Sequence, residues 1–276
     1  MKASEKNNQD TKWVFLKKGT CSRALFYILN REFDHPLEKE EQAADVLAGG
    51  IMQYGYQCGL LFGSVLAMGA EAHQRRKDPG EGIALAIHAS QGILKAFVDS
   101  AGSDGCEEIT EIDFKNKKDF AKYMISGKFL SCFKLADRWA PVAIKTAKEM
   151  LSKPSSELPP TAISCSSQVV QKMGANEQEA LIVAGLAGGL ALSGHACGAL
   201  SAAIWMRSLQ VLKKSGKVSY TDPRFLHIIE EFFKETDYEF LCENICGKSF
   251  QSIEDHSQYM ENGGCSSLLN RLSNIA

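Results

Sequence analysis

The sequence predicts an all-α protein built from two tandem, duplicated helical domains in a pseudo-twofold arrangement. Residues 48–59 read AGGIMQYGYQCG and residues 187–198 read AGGLALSGHACG, both A-G-G-x4-G-x-x-C-G, 139 positions apart in 276 residues. So long an offset indicates two copies of a domain rather than a solenoid. Apolar residues recur mostly with helical spacing, and no alternating run is long enough for a strand. Duplicated domains tend to meet like the subunits of a dimer, which favours the pseudo-twofold packing.

The first element, residues 1–14, is predicted to be a polar N-terminal tail. It opens MKASEKNNQDTKW, which lacks the apolar core of a secretory signal. We therefore expect a cytoplasmic location, where structural disulfides are uncommon. The 33 acidic and 31 basic residues nearly balance, and no basic stripe is present, so we expect no binding to nucleic acid.

The first domain is predicted to span residues 15–151. Ile83, Ile87, Leu94 and Phe97 fall on one face of a predicted helix. The last segment of this domain is also helix-like, except that Pro141 should kink a helix or begin one.

A linker and a second domain follow. Residues 152–161, SKPSSELPPT, hold three of the seven prolines and predict a linker. The second domain, residues 162–276, contains Asp222 and Pro223, which are typical of a helix start. Its next apolar stripe runs from Phe225 to Phe233.

Two uncharged stretches, 46–70 and 180–206, are long enough to span a membrane. Both are interrupted by a double glycine and again by the G-x-x-C-G element, and polar residues lie near their centres. We expect short buried helices separated by a glycine-rich bend, and no membrane span.

The nine cysteines support the duplication. Successive intervals are 37, 48 and 26 residues in the first half and 32, 45 and 23 in the second, if Cys246 is set aside. Cys246 aligns with Thr110 and is the unpaired extra. Each half then carries four matched cysteines, which are Cys21, Cys58, Cys106 and Cys132 in the first and Cys165, Cys197, Cys242 and Cys265 in the second.

Cys58 and Cys197 are the candidate redox thiols. Each precedes a predicted helix, and the helix dipole and free amides there should lower the thiol pKa. The competing interpretation is a small core residue, with glycines that permit close helix packing. His195 could ligate a metal or activate Cys197, but a helix-capping or core role is favoured, since its counterpart is Tyr56.

Several cysteine chemistries remain open. Structural zinc sites usually contain C-x2-C pairs, and the sequence has none. Four separated cysteines could hold an iron–sulfur cluster or form two dithiol/disulfide pairs. The haem attachment motif C-x-x-C-H is missing, as are nucleotide-binding motifs.

Each half resembles the C_GCAxxG_C_C family of redox-active proteins, over roughly residues 15–151 and 160–274. The second copy carries C-G-A-L-S-A after its glycine-rich stretch and lacks the last motif glycine, at Ala202. The first carries C-G-L-L-F-G and lacks the alanine. The resemblance implies a helical redox protein, similar to an iron–sulfur domain of split-Soret cytochromes, with all eight matched cysteines as metal ligands.

Three functions follow as hypotheses. The preferred one is an iron–sulfur electron-transfer protein or oxidoreductase that works with a redox partner protein. The second is a metal-free thiol–disulfide protein or sensor. The third is a non-catalytic helical module that binds a partner or assists a transporter.

Overall fold

The computed structural model describes residues 11–220 and 222–275, and in these residues it confirms the all-α prediction. Residues 1–10 of the predicted tail lie outside the described residues, and residues 11–14 belong to the first helix. The helices of the first half are α1 (Thr11–Lys18), α2 (Cys21–Glu32), α3 (Glu38–Ala43), α4 (Gly59–Arg75), α5 (Pro79–Ala101), α6 (Cys106–Thr110), α7 (Lys117–Ile125) and α8 (Leu130–Met150), with a 3₁₀ helix at Ala44–Leu47.

The second half repeats this order without a counterpart of α1. Between the halves, the predicted linker contains a 3₁₀ helix at Ser155–Glu157. The second set is α9 (Cys165–Lys172), α10 (Glu177–Ile182), α11 (Gly198–Ser215), α12 (Pro223–Glu235), α13 (Cys242–Cys246), α14 (Ile253–Glu261) and α15 (Ser266–Ile275), with a 3₁₀ helix at Ala184–Leu186.

Local sequence explains where these helices begin and end. The Asp222 side chain accepts a hydrogen bond from the Arg224 amide, and Pro223 occupies the first turn of α12, as predicted. Gly216, with φ of 72°, ends α11 in the left-handed conformation that glycine adopts without a steric penalty. Pro141 does not begin a helix, because it lies inside α8.

The two copies pack against each other with reciprocal contacts. Helix α4 packs on α10, and its counterpart α11 packs on α3, the counterpart of α10. The approach is close: a Cβ at Gly69 of α4 would lie 2.2 Å from the Leu181 carbonyl oxygen of α10. One continuous apolar core runs through both copies. This exchange of equivalent contacts is the predicted pseudo-twofold arrangement.

The long apolar stretches seen in the sequence are interrupted in the structure. Residues 46–70 include the end of a 3₁₀ helix, a turn and most of α4, and residues 180–206 are divided in the same way. Among the described residues, no helix is both long and apolar enough to cross a bilayer.

Candidate redox site

A left-handed turn precedes the second cysteine in each copy. Residues 49–53 and 188–192 all have positive φ, and three of each five are not glycine. Ile51, for example, has φ of 58° and is fully buried. A left-handed non-glycine residue costs about 1–2 kcal/mol, so the surrounding packing must hold this turn. The same turn in both copies places Cys58 and Cys197 in equivalent positions.

Glycine is required where this turn meets the rest of the site. A Cβ at Gly50 would lie 2.4 Å from the Tyr56 amide nitrogen. At Gly189 it would lie 2.8 Å from Cβ of Cys242, the third cysteine of the second set. The double glycine therefore lets the turn close on itself and lets the third cysteine approach.

A short β-bridge joins the second and third cysteines of the first copy. Gln57 pairs with Gly105 in antiparallel fashion. The Cys58 amide donates to the Asp104 carbonyl at 2.7 Å, and the Cys106 amide donates to the Tyr56 carbonyl at 2.6 Å.

The second copy has the equivalent bridge. The Cys197 amide donates to the Phe240 carbonyl at 3.0 Å, and the Cys242 amide donates to the His195 carbonyl at 2.6 Å. Two elements 45 residues apart in sequence are thus held together at the cysteines themselves.

Close packing brings the first cysteine to the second. Cys21 begins α2, and Cys58 is the N-cap of α4. A Cβ on Gly59 would lie 2.4 Å from the Cys21 sulfur, so the thiol rests directly against the start of α4. In the second copy, a Cβ on Gly198 would lie only 1.7 Å from the Leu186 carbonyl oxygen. The glycine after the second cysteine of each set is therefore needed, because it lets neighbouring atoms lie against the start of the helix.

A tyrosine contacts the fourth cysteine in each copy. The Tyr123 hydroxyl lies 3.1 Å from the Cys132 sulfur, and the Tyr259 hydroxyl lies 3.7 Å from the Cys265 sulfur. Sequence reasoning missed both tyrosines. The signal was a Tyr-Met dipeptide that precedes the fourth cysteine in both halves.

The structure thus brings all four matched cysteines of each set together. In the second copy they line one small apolar cavity of about 10 Å³. Phe250, Met260 and Leu268 contribute to its wall, and so does the unmatched Cys246. In the first copy the four thiols are close enough to interact electrostatically. Among the described residues, however, no three cysteine, histidine or carboxylate side chains form a site for a single metal ion.

The predicted lowering of the thiol pKa is wrong for the protein without metal. Burial raises the pKa of Cys58 and Cys197, and neighbouring thiols raise it further. Burial also raises the pKa of Cys21 to about 12 and that of Cys165 to about 11. Backbone amides act in the opposite direction, that of Leu60 on Cys58 and that of Gly49 on Cys21. Loss of water around these thiols outweighs the helix terminus.

Among the contacts that connect the first site to the second, two occupy symmetry-related positions across the pseudo-twofold axis. His195 Nδ1 lies 2.7 Å from Asp104 Oδ2, and this hydrogen bond raises the His195 pKa. Its symmetry counterpart is a stack of Tyr56 on Phe240, with ring centroids 3.4 Å apart. His195 is therefore neither a helix cap nor a core residue, because its half-exposed side chain pairs with the Asp104 carboxyl group of the other copy.

Both contacts are continuous with the cysteine backbones. The Cys58 amide donates a hydrogen bond to the Asp104 carbonyl, and the Asp104 side chain is hydrogen-bonded to that of His195. The His195 carbonyl in turn accepts a hydrogen bond from the Cys242 amide. In the reciprocal connection, the Cys197 amide donates a hydrogen bond to the Phe240 carbonyl, and the Phe240 ring stacks on that of Tyr56. The Tyr56 carbonyl accepts a hydrogen bond from the Cys106 amide. These two symmetry-related paths between the sites are therefore short.

Comparison with known proteins agrees with the duplicated geometry. The family model described as "Putative redox-active protein (C_GCAxxG_C_C)" matches residues 20–145 and again residues 162–276. No curated protein and no solved structure shows significant similarity to the chain. The two matches cover most of the sequence and contain all nine cysteines. The chain therefore belongs to the C_GCAxxG_C_C family, of which it contains two tandem copies.

Proposed function

We propose that each four-cysteine set binds one iron–sulfur cluster and that the chain transfers electrons. The observation that carries this proposal is the convergence of four thiols from four separate elements, repeated in both copies. Thiolates are the usual ligands of such clusters. Because cluster ligands bind different iron atoms, they need not surround one point as the ligands of a single ion do. The lack of a single-ion site among the described residues is compatible with this ligand set.

The surroundings of the cysteine sulfurs also suit an iron–sulfur cluster. Amide N–H groups of Gly49 and Gly188 favour the ionised forms of Cys21 and Cys165. The tyrosine hydroxyl beside each fourth cysteine can donate to its sulfur, and the apolar wall excludes water. When bound, a cluster supplies one-electron oxidation and reduction. Since the free thiols have raised pKa values, we expect metal binding to release protons.

The connections between the copies support electron transfer rather than two unrelated structural sites. Each path from one cysteine backbone to the other site includes only two intervening residues. We infer that a redox partner protein supplies or accepts the electrons. We infer a reducing, cytoplasmic location, because cluster ligands must remain as thiols rather than disulfides.

The test is anaerobic reconstitution of the full chain with iron and sulfide, followed by chemical assay and a visible spectrum. We expect Cys197→Ser to lose about half of the iron and sulfide, because serine removes one thiolate ligand. The matched control is Cys246→Ser, which removes a neighbouring thiol outside the set and should keep both. A wild-type protein that binds neither iron nor sulfide would refute the proposal.

A further inference from the structure

Cys246 has no counterpart in the first copy and lies among the thiols of the second. It is the last residue of α13, and its sulfur lies 3.8 Å from that of Cys242 and 3.7 Å from that of Cys265. The equivalent residue of α6 is Thr110, whose hydroxyl donates to the Cys106 carbonyl at 2.7 Å. The first set is complete with a threonine here, so the second set does not need a fifth thiol.

Helix geometry distinguishes the two neighbours of Cys246. Cys242 lies four residues earlier on the same helix, where Cβ atoms are about 5–6 Å apart. A disulfide requires Cβ atoms about 3.5–4.5 Å apart, so joining these two residues would unwind α13. Cys265 lies on a different segment, the turn between α14 and α15. A disulfide between Cys265 and Cys246 would therefore join two segments rather than two turns of one helix.

Exposure favours the same pair. Cys246 and Cys265 are partly exposed, whereas Cys165, Cys197 and Cys242 are buried. A small oxidant in solution therefore reaches the first two thiols before the other three.

We propose that Cys246 and Cys265 form a reversible disulfide, which withdraws Cys265 from the second four-cysteine set. The oxidant is a low-molecular-weight disulfide of the glutathione class. The Cys246 thiolate attacks it to form a mixed disulfide and releases one thiol. The Cys265 thiolate then attacks the Cys246 sulfur and releases the second thiol. Two protein S–H bonds and one small-molecule disulfide become one protein disulfide and two small-molecule thiols.

This inference goes beyond the proposed function and does not require iron. The test uses the full chain, metal-free and fully reduced, treated anaerobically with oxidised glutathione. Digestion without reductant and mass spectrometry then identify the linked peptides. We expect a Cys246–Cys265 link, a loss of two free thiols, and recovery of both with dithiothreitol. Cys106 and Cys132 of the first copy should stay unlinked and serve as the internal control.

Two variants make the assignment specific. Cys246→Thr, which gives α13 the residue found in α6, should abolish the link. Cys242→Ser should retain it, since Cys242 is not the partner. A Cys246–Cys242 link in the wild type would overturn the proposal, and so would an absence of thiol loss or an equal loss in Cys246→Thr. Because the protein is metal-free, these outcomes are independent of whether iron binds in the reconstitution experiment.

Discussion

The two cysteine sites share the backbone features that position their cysteines, but the helices that cover the sites differ. The left-handed turn, the β-bridge and the glycine after the second cysteine occur in both copies. The covering helices differ: Met124 of α7 is 46% exposed, whereas its counterpart Met260 of α14 is 6% exposed. The duplicated parts are those that position the cysteines, and the covers have diverged. We infer that cysteine geometry is the requirement that the two copies share.

The largest expected effect concerns the glycine after the second cysteine. Gly198→Ala should destabilise the protein by about 3 kcal/mol, because the new methyl group would overlap a backbone carbonyl oxygen. Gly59→Ala should cost less, about 1–2 kcal/mol, since its closest obstacle is the Cys21 side chain, which can rotate.

Urea unfolding of the two alanine variants measures the difference. Ala199→Gly, one position along α11, is the control and should cost at most about 1 kcal/mol. Equal stability of Gly198→Ala and wild type would show that α11 does not closely approach the 3₁₀ helix at Ala184–Leu186.

The sequence could predict the parts of this site that depend on local pattern. The glycines on either side of Cys58 and Cys197, with the apolar run that follows each, predicted that both cysteines lie at helix starts. The repeated cysteine spacing identified both four-cysteine sets. It could not predict left-handed Ile51, since β-branched residues rarely adopt that conformation. The sign of the thiol pKa shift also depended on tertiary burial. The His195–Asp104 pair joins residues 91 positions apart, so no local signal could reveal it.

The pH effect of His256, which lies in α14, should have no counterpart at the matching position of the first copy. Burial lowers the His256 pKa from 6.5 to about 4, and Nδ1 lies 3.0 Å from the Ile163 carbonyl oxygen. The folded protein keeps His256 neutral while the unfolded chain takes up a proton. Stability should therefore fall by about 3 kcal/mol as pH falls from above 6.5 through 4, and the loss from this group should level off below 4.

The matching position in the first copy is Phe120, which does not titrate. Urea unfolding at pH 7 and at pH 4.5 should show that His256→Gln has lost this part of the pH dependence. If the variant and the wild type lose the same stability between these pH values, the assignment to His256 is wrong.

The two symmetry-related contacts beside the sites should differ in strength. Tyr56→Ala should cost about 2 kcal/mol, because it removes an aromatic stack and buried ring surface. His195→Ala should cost about 0.5–1 kcal/mol, since its contact with Asp104 is half-exposed and screened by water. Thermal unfolding of the metal-free variants measures both. A larger loss for His195→Ala than for Tyr56→Ala would reverse the expected order of the two contacts.

The smallest effect should come from the tyrosines beside the fourth cysteines. Hydrogen bonds to ligand sulfurs raise the reduction potential of a cluster. Tyr123→Phe should lower the potential of the first site by roughly 40 mV, the equivalent of a hydrogen bond of about 1 kcal/mol. Tyr259→Phe should have less effect, because its hydroxyl lies farther from sulfur. Redox titration of reconstituted protein gives both values, and equal shifts would remove this distinction between the sites.

The central claim is that each copy completes its own site from its own four cysteines. The most direct measurement is the iron and sulfide content per chain of reconstituted Cys58→Ser, Cys197→Ser and the double variant. We predict about half of the wild-type content in each single variant and none in the double variant, because removing one thiolate disables one site. Complete loss in either single variant would mean a shared site, and full content in the double variant would mean that these cysteines hold no cluster.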